Sequence, residues 1–202
     1  MNARNPVEFY FDFSSPYSYI ASEWVEAVAA RHGRTVRWHA ILLGATFQAA
    51  ELKSPVSYPV KREYALADFQ RSARFEGVPY RAPERFPIPT QNAARVFWWL
   101  ADREPERAAG LGPCRAARLL HARRGARCAG AAEGAVCRGR ARREAAEAAW
   151  GDPAWKARLK AENDAAIAAG VFGAPSFLVD GELFWGNDRR AQLERWLATG
   201  PF

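Results

Sequence analysis

Cysteine is scarce in this chain, and its distribution excludes several kinds of protein. The sequence has three cysteines, Cys114, Cys128 and Cys137, and their spacings of 14 and 9 residues match no metal-binding pattern. An odd number of cysteines argues against a framework of structural disulfides. We therefore expect neither a metal site nor a disulfide-rich domain.

Long apolar segments are missing as well. No run of 18 apolar residues occurs in the sequence, so no transmembrane helix is predicted. The first ten residues hold no apolar stretch of the kind that a signal peptide needs. These two absences lead us to expect a cytoplasmic protein with no membrane partner.

Large apolar residues are nearly absent from one segment. Residues 108–149 contain no Phe, Tyr, Trp or Ile, but they carry nine Arg, three Glu and no Lys. Most of the net charge of +7 comes from this segment, so charge is a poor indication of nucleic-acid binding, which we do not expect. The segment is either a poorly packed, Ala-rich stretch or a frame-shifted translation of GC-rich codons, and the second interpretation leaves the activity of the protein open.

The rest of the sequence alternates between strand and helix patterns. Residues 7–13 (VEFYFDF) and 35–43 (TVRWHAILL) are rich in β-branched and aromatic residues, which favours strands. Between them, an amphipathic helix is predicted over 16–31, with Ser14 or Ser15 as its N-cap. The opening of the chain therefore predicts a β-α-β unit.

Helices dominate the middle of the chain, and strands return near its end. Two helices are predicted at roughly 59–76 and 90–101, in a proline-rich region. A further helix follows the cap residue Asp152. The stretch APSFLVDGELFWG predicts a hairpin that turns at Asp180 and Gly181, and a last helix follows it with Asn187 or Asp188 as its cap.

This order of elements is that of a thioredoxin-like α/β fold with a large all-helical insertion. We expect a discontinuous thioredoxin-like domain from residues 1–43 and 151–202. The insertion domain then covers residues 44–150, including the anomalous segment 108–149.

Two loops of this fold normally face each other across a cleft, and the sequence supplies a candidate for each. Ser15-Pro16-Tyr17-Ser18 follows the first strand, where redox proteins of this fold carry Cys-x-x-Cys, so we do not expect a disulfide oxidoreductase. Pro175 stands immediately before a predicted strand, and the architecture predicts a cis bond in front of it.

Three motifs resemble a known family when they are taken together. FYFDFSSPYSYIAS, RFEGVPYRAPERFP and GVFGAPSFLVDGELFWGNDR look like 2-hydroxychromene-2-carboxylate isomerases, whose fold is similar to that of DsbA and of kappa-class glutathione transferases. The resemblance covers residues 6–107 and 150–200, and the segment between them does not match. It implies glutathione as cofactor, a small aromatic carboxylate as substrate, and a homodimer.

The resemblance makes Ser15 the catalytic residue. A free thiol is only about 3% thiolate at pH 7, so glutathione must be activated before it can react. The Ser15 hydroxyl can donate a hydrogen bond to the glutathione sulfur, and its place at a helix N-terminus favours an anion.

Other glutathione contacts follow from the positions of the family's motifs. The backbone before the cis-proline is implied to pair with the tripeptide, the last helix to hold the γ-glutamyl carboxylate, and an aspartate to accept from the ammonium group. The residues at these positions are Ala174, Pro175, Trp185, Gly186, Asn187 and Asp188.

The substrate side is less well defined by the sequence. Phe86 matches an aromatic position of the family's pocket. The family's lysine near the position of Phe47 and Gln48 is missing. The nearest lysine is Lys53, and Lys61, Arg62 and Arg85 are further candidate cations, unless they are ordinary surface charges.

The resemblance thus implies a glutathione-dependent cis-trans isomerase of 2-hydroxychromene-2-carboxylate or a similar aromatic-catabolism intermediate. The thiolate would add to a conjugated double bond, allow rotation and leave again. The alternatives are a kappa-like glutathione transferase or peroxidase, and an inactive glutathione-binding protein.

Overall fold

The computed structural model describes residues 5–82, 86–104, 108 and 140–202. Four strands form one mixed sheet in the order β2-β1-β3-β4, in which β1 is parallel to β2 and antiparallel to β3. The strands are β1 (Val7–Phe11), β2 (Val36–Ala40), β3 (Ser176–Val179) and β4 (Glu182–Trp185). This sheet confirms the predicted thioredoxin-like architecture.

Helices make up most of the remaining described residues. They are α1 (Pro16–Ser22), α2 (Val25–Arg31), α3 (Leu43–Ala49), α4 (Pro59–Phe75), α5 (Gln91–Ala101), α6 (Arg140–Gly151), α7 (Pro153–Ala168) and α8 (Arg190–Thr199). Short 3-10 helices lie at Pro55–Ser57 and Asn187–Arg189. Residues 108–149, for which the sequence raised a frame-shifted translation, lie mostly outside the described residues.

The predicted helix over 16–31 is wrong in one respect, because it is broken into α1 and α2. The Glu23 and Trp24 amides donate to Ile20 and Ala21 three residues back, a tighter turn than an α-helix makes. The Trp24 Nε1 donates to the Asn187 side-chain oxygen at 2.8 Å. A contact between positions 163 residues apart therefore accompanies the break.

The hairpin between β3 and β4 has the predicted turn. Asp180 and Gly181 both have positive φ angles, of 52° and 90°. A two-residue turn of this kind matches the twist of the strands, and Asp-Gly is a favoured pair for it.

The helix α7 is capped at its start by Asp152, whose side chain accepts from the Ala154 amide at 2.8 Å, and Gly170 follows its end.

The core is built around the aromatic residues of β1. Phe9 is fully buried, and its ring lies 5.2 Å from Phe177, 4.9 Å from Trp38 and 5.7 Å from Phe11. Aromatic pairs at such distances add to the burial of apolar area. Phe97 of α5 packs edge-on against Phe11 at 5.3 Å, so the helical insertion shares this core.

A polar cluster lies beside β1 on the side of α7. His39 Nε2 is 2.6 Å from Glu8 Oε2, and His39 Nδ1 is 3.7 Å from Glu162 Oε2. Burial alone would lower the pKa of His39, but the carboxylates of Glu162 and Glu8 outweigh it and raise that pKa. The Tyr10 ring stacks on the imidazole at 4.6 Å.

None of the helices in the described part of the chain is long and apolar enough to cross a membrane.

Candidate active site

The turn that leaves β1 positions the serine motif. The Ser15 amide donates to the Asp12 carbonyl at 3.0 Å, which closes a four-residue turn. Within it, the Ser14 amide and hydroxyl donate to Asp12 Oδ1 at 2.6 and 2.7 Å. Aspartate is favoured at the first position of such turns because its side chain can accept from the backbone two residues on.

Of the two N-cap candidates in the sequence, Ser14 and Ser15, it is Ser15 that caps α1. Its Oγ accepts from the Ser18 amide at 3.1 Å and donates to the Ala174 carbonyl at 3.2 Å. Ser15 is 6% exposed, so its hydroxyl is buried between α1 and the loop that contains Ala174. Because its oxygen already accepts one hydrogen bond, its O–H is polarised toward being a better donor.

Ser18 differs from Ser15 although it belongs to the same motif. Its side chain is completely buried, and within the described part of the chain its Oγ has no hydrogen-bond partner. The two serines are therefore not equivalent, and Ser15 alone reaches the opposite loop.

The opposite loop contains the predicted cis-proline. The Ala174–Pro175 peptide bond is cis, and both residues are buried. The Gly186 amide donates to the Pro175 carbonyl at 3.0 Å, which joins this loop to the start of the last helical region. The Trp185 ring covers Gly173 so closely that a Cβ at that glycine would lie 2.5 Å from its Nε1.

The segment that follows β4 lies beside the cis-proline loop. Gly186 has a φ of 114°, a conformation that other residues rarely adopt. Asn187 is buried, and its side-chain oxygen is bonded to Trp24. The Asp188 side chain is 70% exposed and pairs with Arg189 at 2.9 Å. The α-helix itself begins at Arg190, later than the cap position that the sequence predicted at 187 or 188.

Aromatic residues continue from the serine motif into the insertion. The Tyr17 ring packs edge-on against Phe69 of α4 at 5.0 Å, and Phe69 packs against Phe86 at 5.7 Å. The Tyr17 hydroxyl donates to Asp68 Oδ2 at 2.5 Å. Burial of the phenol and this carboxylate raise the pKa of Tyr17.

The predicted site residues fall into two groups. Ser15, Ala174, Pro175, Trp185 and Gly186 are linked by the contacts above, and Phe86 joins them through aromatic packing. Lys53 and Lys61 are both exposed, and the Lys61 ammonium lies over the Tyr58 ring at 5.1 Å.

Sequence reasoning missed three residues that shape this site: Asp12, Trp24 and Tyr17. Tyr17 was part of the quoted motif and could have been tested as an aromatic wall. The position of Asp12 at the start of a turn was a local signal for the bond to Ser14. The partner of Trp24 left no local signal, because it lies across the fold.

Comparison with known proteins identifies the class of protein to which this fold belongs. The family model of the DSBA-like thioredoxin domain matches residues 6–198. A solved structure of a 2-hydroxychromene-2-carboxylate isomerase superimposes with a TM-score of 0.76 at 26% identity, over 95% of this chain and 94% of the other. The protein is thus a DsbA-like member of the thioredoxin superfamily.

Sequence relatives define the family within that class. A 2-hydroxychromene-2-carboxylate isomerase from Pseudomonas putida is 30% identical over 194 residues, which cover 93% of this chain and 92% of the relative. The chain belongs to the 2-hydroxychromene-2-carboxylate isomerase family. It is also 30% identical to glutathione S-transferase kappa 1 of Caenorhabditis elegans over 106 residues, which cover 50% of this chain and 47% of that protein.

Proposed function

We propose that this protein is a glutathione-dependent cis-trans isomerase that acts on 2-hydroxychromene-2-carboxylate or a similar aromatic carboxylate. The observation that carries the proposal is the hydrogen bond from the Ser15 hydroxyl to the Ala174 carbonyl. It holds a serine, in place of a redox cysteine, against the backbone edge that precedes Pro175. Membership in the isomerase family supports the same reaction.

The residues at the cleft fit a γ-glutamyl tripeptide. The Ala174 carbonyl now accepts from the Ser15 hydroxyl, and it can accept from a peptide N–H of the ligand instead. In our proposal this N–H replaces the Ser15 hydroxyl on that carbonyl, and the hydroxyl turns toward the glutathione sulfur. Binding of the peptide backbone and activation of the sulfur are then linked through one hydrogen bond.

The size of the Ser15 contribution is suited to this role. Lowering the pKa of a thiol from about 8.5 by two units requires about 2.7 kcal/mol of preference for the thiolate. A hydrogen bond to a charged acceptor contributes about 1.5 to 3 kcal/mol. One well-placed hydroxyl, polarised by the Ser18 amide, therefore supplies most of what is needed.

The γ-glutamyl end of glutathione would lie against the segment that follows β4. The exposed Asp188 carboxylate is available to accept from its ammonium group. We assign the γ-glutamyl carboxylate to backbone amides of this segment, because the Asn187 side chain is already bonded to Trp24. Trp185 and Gly186 form the adjoining surface.

The substrate side rests on aromatic packing. Tyr17 and Phe86 are half-buried and pack on the buried Phe69, and we propose that their exposed parts form the aromatic wall against which a flat ring binds. Lys53 and Lys61 stay as candidate cations for the carboxylate, although Lys61 would first have to leave the Tyr58 ring.

Glutathione supplies a thiolate that adds to a conjugated double bond, permits rotation about it and is eliminated again, so that it is not consumed. The task of the chain is to orient the sulfur through Ser15 and to hold the tripeptide along the Ala174 backbone. Exclusion of water falls to the aromatic wall.

The test is the ultraviolet change of 2-hydroxychromene-2-carboxylate with enzyme, followed with and without glutathione. We expect isomerisation that depends on glutathione at catalytic amounts. Equal rates in its presence and absence would rule out the proposed cofactor.

A second candidate is a kappa-like glutathione transferase or peroxidase, favoured by the similarity to the kappa enzyme over half of this chain. Stoichiometric loss of free thiol with 1-chloro-2,4-dinitrobenzene or a hydroperoxide, with no isomerisation, would select it. Binding of glutathione without either reaction would indicate an inactive glutathione-binding protein.

We also propose that the protein is a homodimer, and static light scattering of the purified protein tests this.

A further inference from the structure

Asp12 is a buried carboxylate next to the catalytic motif that the reaction itself does not use. It is 2% exposed, and it lies at the end of β1, three residues before Ser15. Burial raises the pKa of Asp12, and hydrogen bonds from Leu43, Ser14 and Thr90 lower it in part. Burying a carboxylate without a cation is costly unless hydrogen bonds satisfy it.

Four hydrogen bonds satisfy this carboxylate, and they come from three separate segments. Oδ1 accepts from the Ser14 amide and hydroxyl at 2.6 and 2.7 Å and from the Thr90 hydroxyl at 3.1 Å. Oδ2 accepts from the Leu43 amide at 2.7 Å. Asp12 therefore ties the serine loop to the first residue of α3 and to the residue before α5.

These partners make aspartate hard to replace. Each carboxylate oxygen accepts from one backbone N–H, and a backbone N–H cannot reverse its role as a hydroxyl can. In an Asp12→Asn variant, whichever way the amide turns, its NH₂ group faces the amide of either Ser14 or Leu43. Such a variant loses a hydrogen bond and gains a donor-to-donor contact in a buried place.

We propose that Asp12 is the positioning residue for Ser15: its four hydrogen bonds hold the turn from which the Ser15 hydroxyl reaches the glutathione sulfur. This inference rests on the proposed function and deepens it. Asp12 touches neither glutathione nor substrate, and it acts through the backbone turn that the Ser15 amide closes onto the Asp12 carbonyl. Its effect should then be confined to ligands that carry a sulfur.

The test compares two ligands on the full-length protein by isothermal titration calorimetry at pH 7.5. One is glutathione, and the other is the analogue in which a methyl group replaces the thiol of the cysteinyl residue. We expect Asp12→Asn to weaken glutathione binding about tenfold, the size of one lost charge-assisted hydrogen bond, while the analogue binds within about twofold of its affinity for the wild type.

Asn163→Ala is the matched control. Asn163 is 4% exposed, and its oxygen accepts from the Leu42 amide at 2.9 Å, next to the residue that Asp12 holds. This variant removes a buried polar contact at the residue just before α3 without touching the serine turn. We expect it to lower the melting temperature while the ratio of the two affinities stays at the wild-type value.

The outcomes separate the two proposals. Equal loss of affinity for both ligands, or no loss for either, overturns the role of Asp12 while glutathione binding by the wild type stands. Failure of the wild type to bind glutathione overturns the proposed function, and the role of Asp12 with it. Should Asp12→Asn not fold, Ser14→Ala removes one of the four bonds, and the same selective loss, several-fold for glutathione alone, is expected of it.

Discussion

The strand β1 and the turn that follows it, nine residues in all, are held in place by different kinds of contact. Along the strand, Phe9 and Phe11 enter an aromatic core, whereas the turn from Asp12 to Ser15 adds a set of polar contacts to one buried ring, that of Phe13. Apolar packing is non-directional and tolerates small shifts, but a hydrogen bond fixes the position of its partners. The strand therefore stabilises the fold, and the turn aims the hydroxyl that we propose as catalytic.

The largest effect on stability is expected from the strand. Phe9→Ala removes a fully buried ring from a core with three aromatic neighbours, which should lower the free energy of unfolding by about 3 to 5 kcal/mol. Urea unfolding followed by tryptophan fluorescence measures this change.

Phe75→Ala is the control for that measurement, because Phe75 is 87% exposed on α4. The same chemical change there should alter the free energy of unfolding by less than about 0.5 kcal/mol. Similar losses in the two variants would show that the aromatic core of β1 is not what stabilises the fold.

The turn should give the reverse pattern. Ser15→Ala loses the N-cap bond, at about 1 kcal/mol of stability, but it should reduce kcat/KM about a hundredfold or more. The pKa of bound glutathione, read from thiolate absorbance near 240 nm, should move back toward that of free thiol, about 8.5.

Ser18→Ala tests whether the motif or the position matters. Its hydroxyl has no partner among the described residues, so the variant should keep its activity and be at least as stable as the wild type. A loss of activity equal to that of Ser15→Ala would contradict the difference that we draw between the two serines.

Trp24 combines both kinds of contact, because its ring packs on Phe177 of β3 at 5.2 Å while its Nε1 donates to Asn187. Trp24→Phe keeps an aromatic ring but leaves the buried Asn187 oxygen without its donor, which should cost about 1 to 2 kcal/mol. Since Asn187 adjoins Asp188, we also expect glutathione affinity to fall several-fold, about 1 kcal/mol.

Trp38→Phe is the matched control, because it removes an indole N–H that donates to Glu26 at 3.2 Å, away from the cleft. Calorimetric titration of both variants with glutathione provides the comparison. Unchanged affinity in Trp24→Phe would show that the segment after β4 does not depend on the Asn187 bond.

Local chemistry explains which features the sequence could predict. The Asp180-Gly181 turn and the Asp152 cap depend on neighbouring residues, and both are as expected. The break at Trp24 and the closing of the Asp12 network could not be predicted, because their partners lie 163 and 78 residues away. Helical periodicity continues through position 24, and the partner of the Trp24 side chain comes near it only in the folded chain.

The smallest effect concerns the other side of β1, where His39 lies between Glu8 and Glu162. The pKa of His39 is raised above its usual 6.5 in the folded protein, so proton binding favours the folded state. This contribution is fully present below pH 6.5 and is lost as the pH rises through the higher folded pKa.

In a His39→Gln variant, the stability deficit relative to wild type should thus be larger at pH 5.5 than at pH 8.5, by about 1 kcal/mol or less. Urea unfolding at the two pH values measures it, and a deficit that grows with pH would mean that His39 is held neutral by its burial. The catalytic activity of the variant should not follow its loss of stability, because the His39 cluster stabilises β1, whereas the proposed catalytic hydroxyl depends on the turn from Asp12 to Ser15.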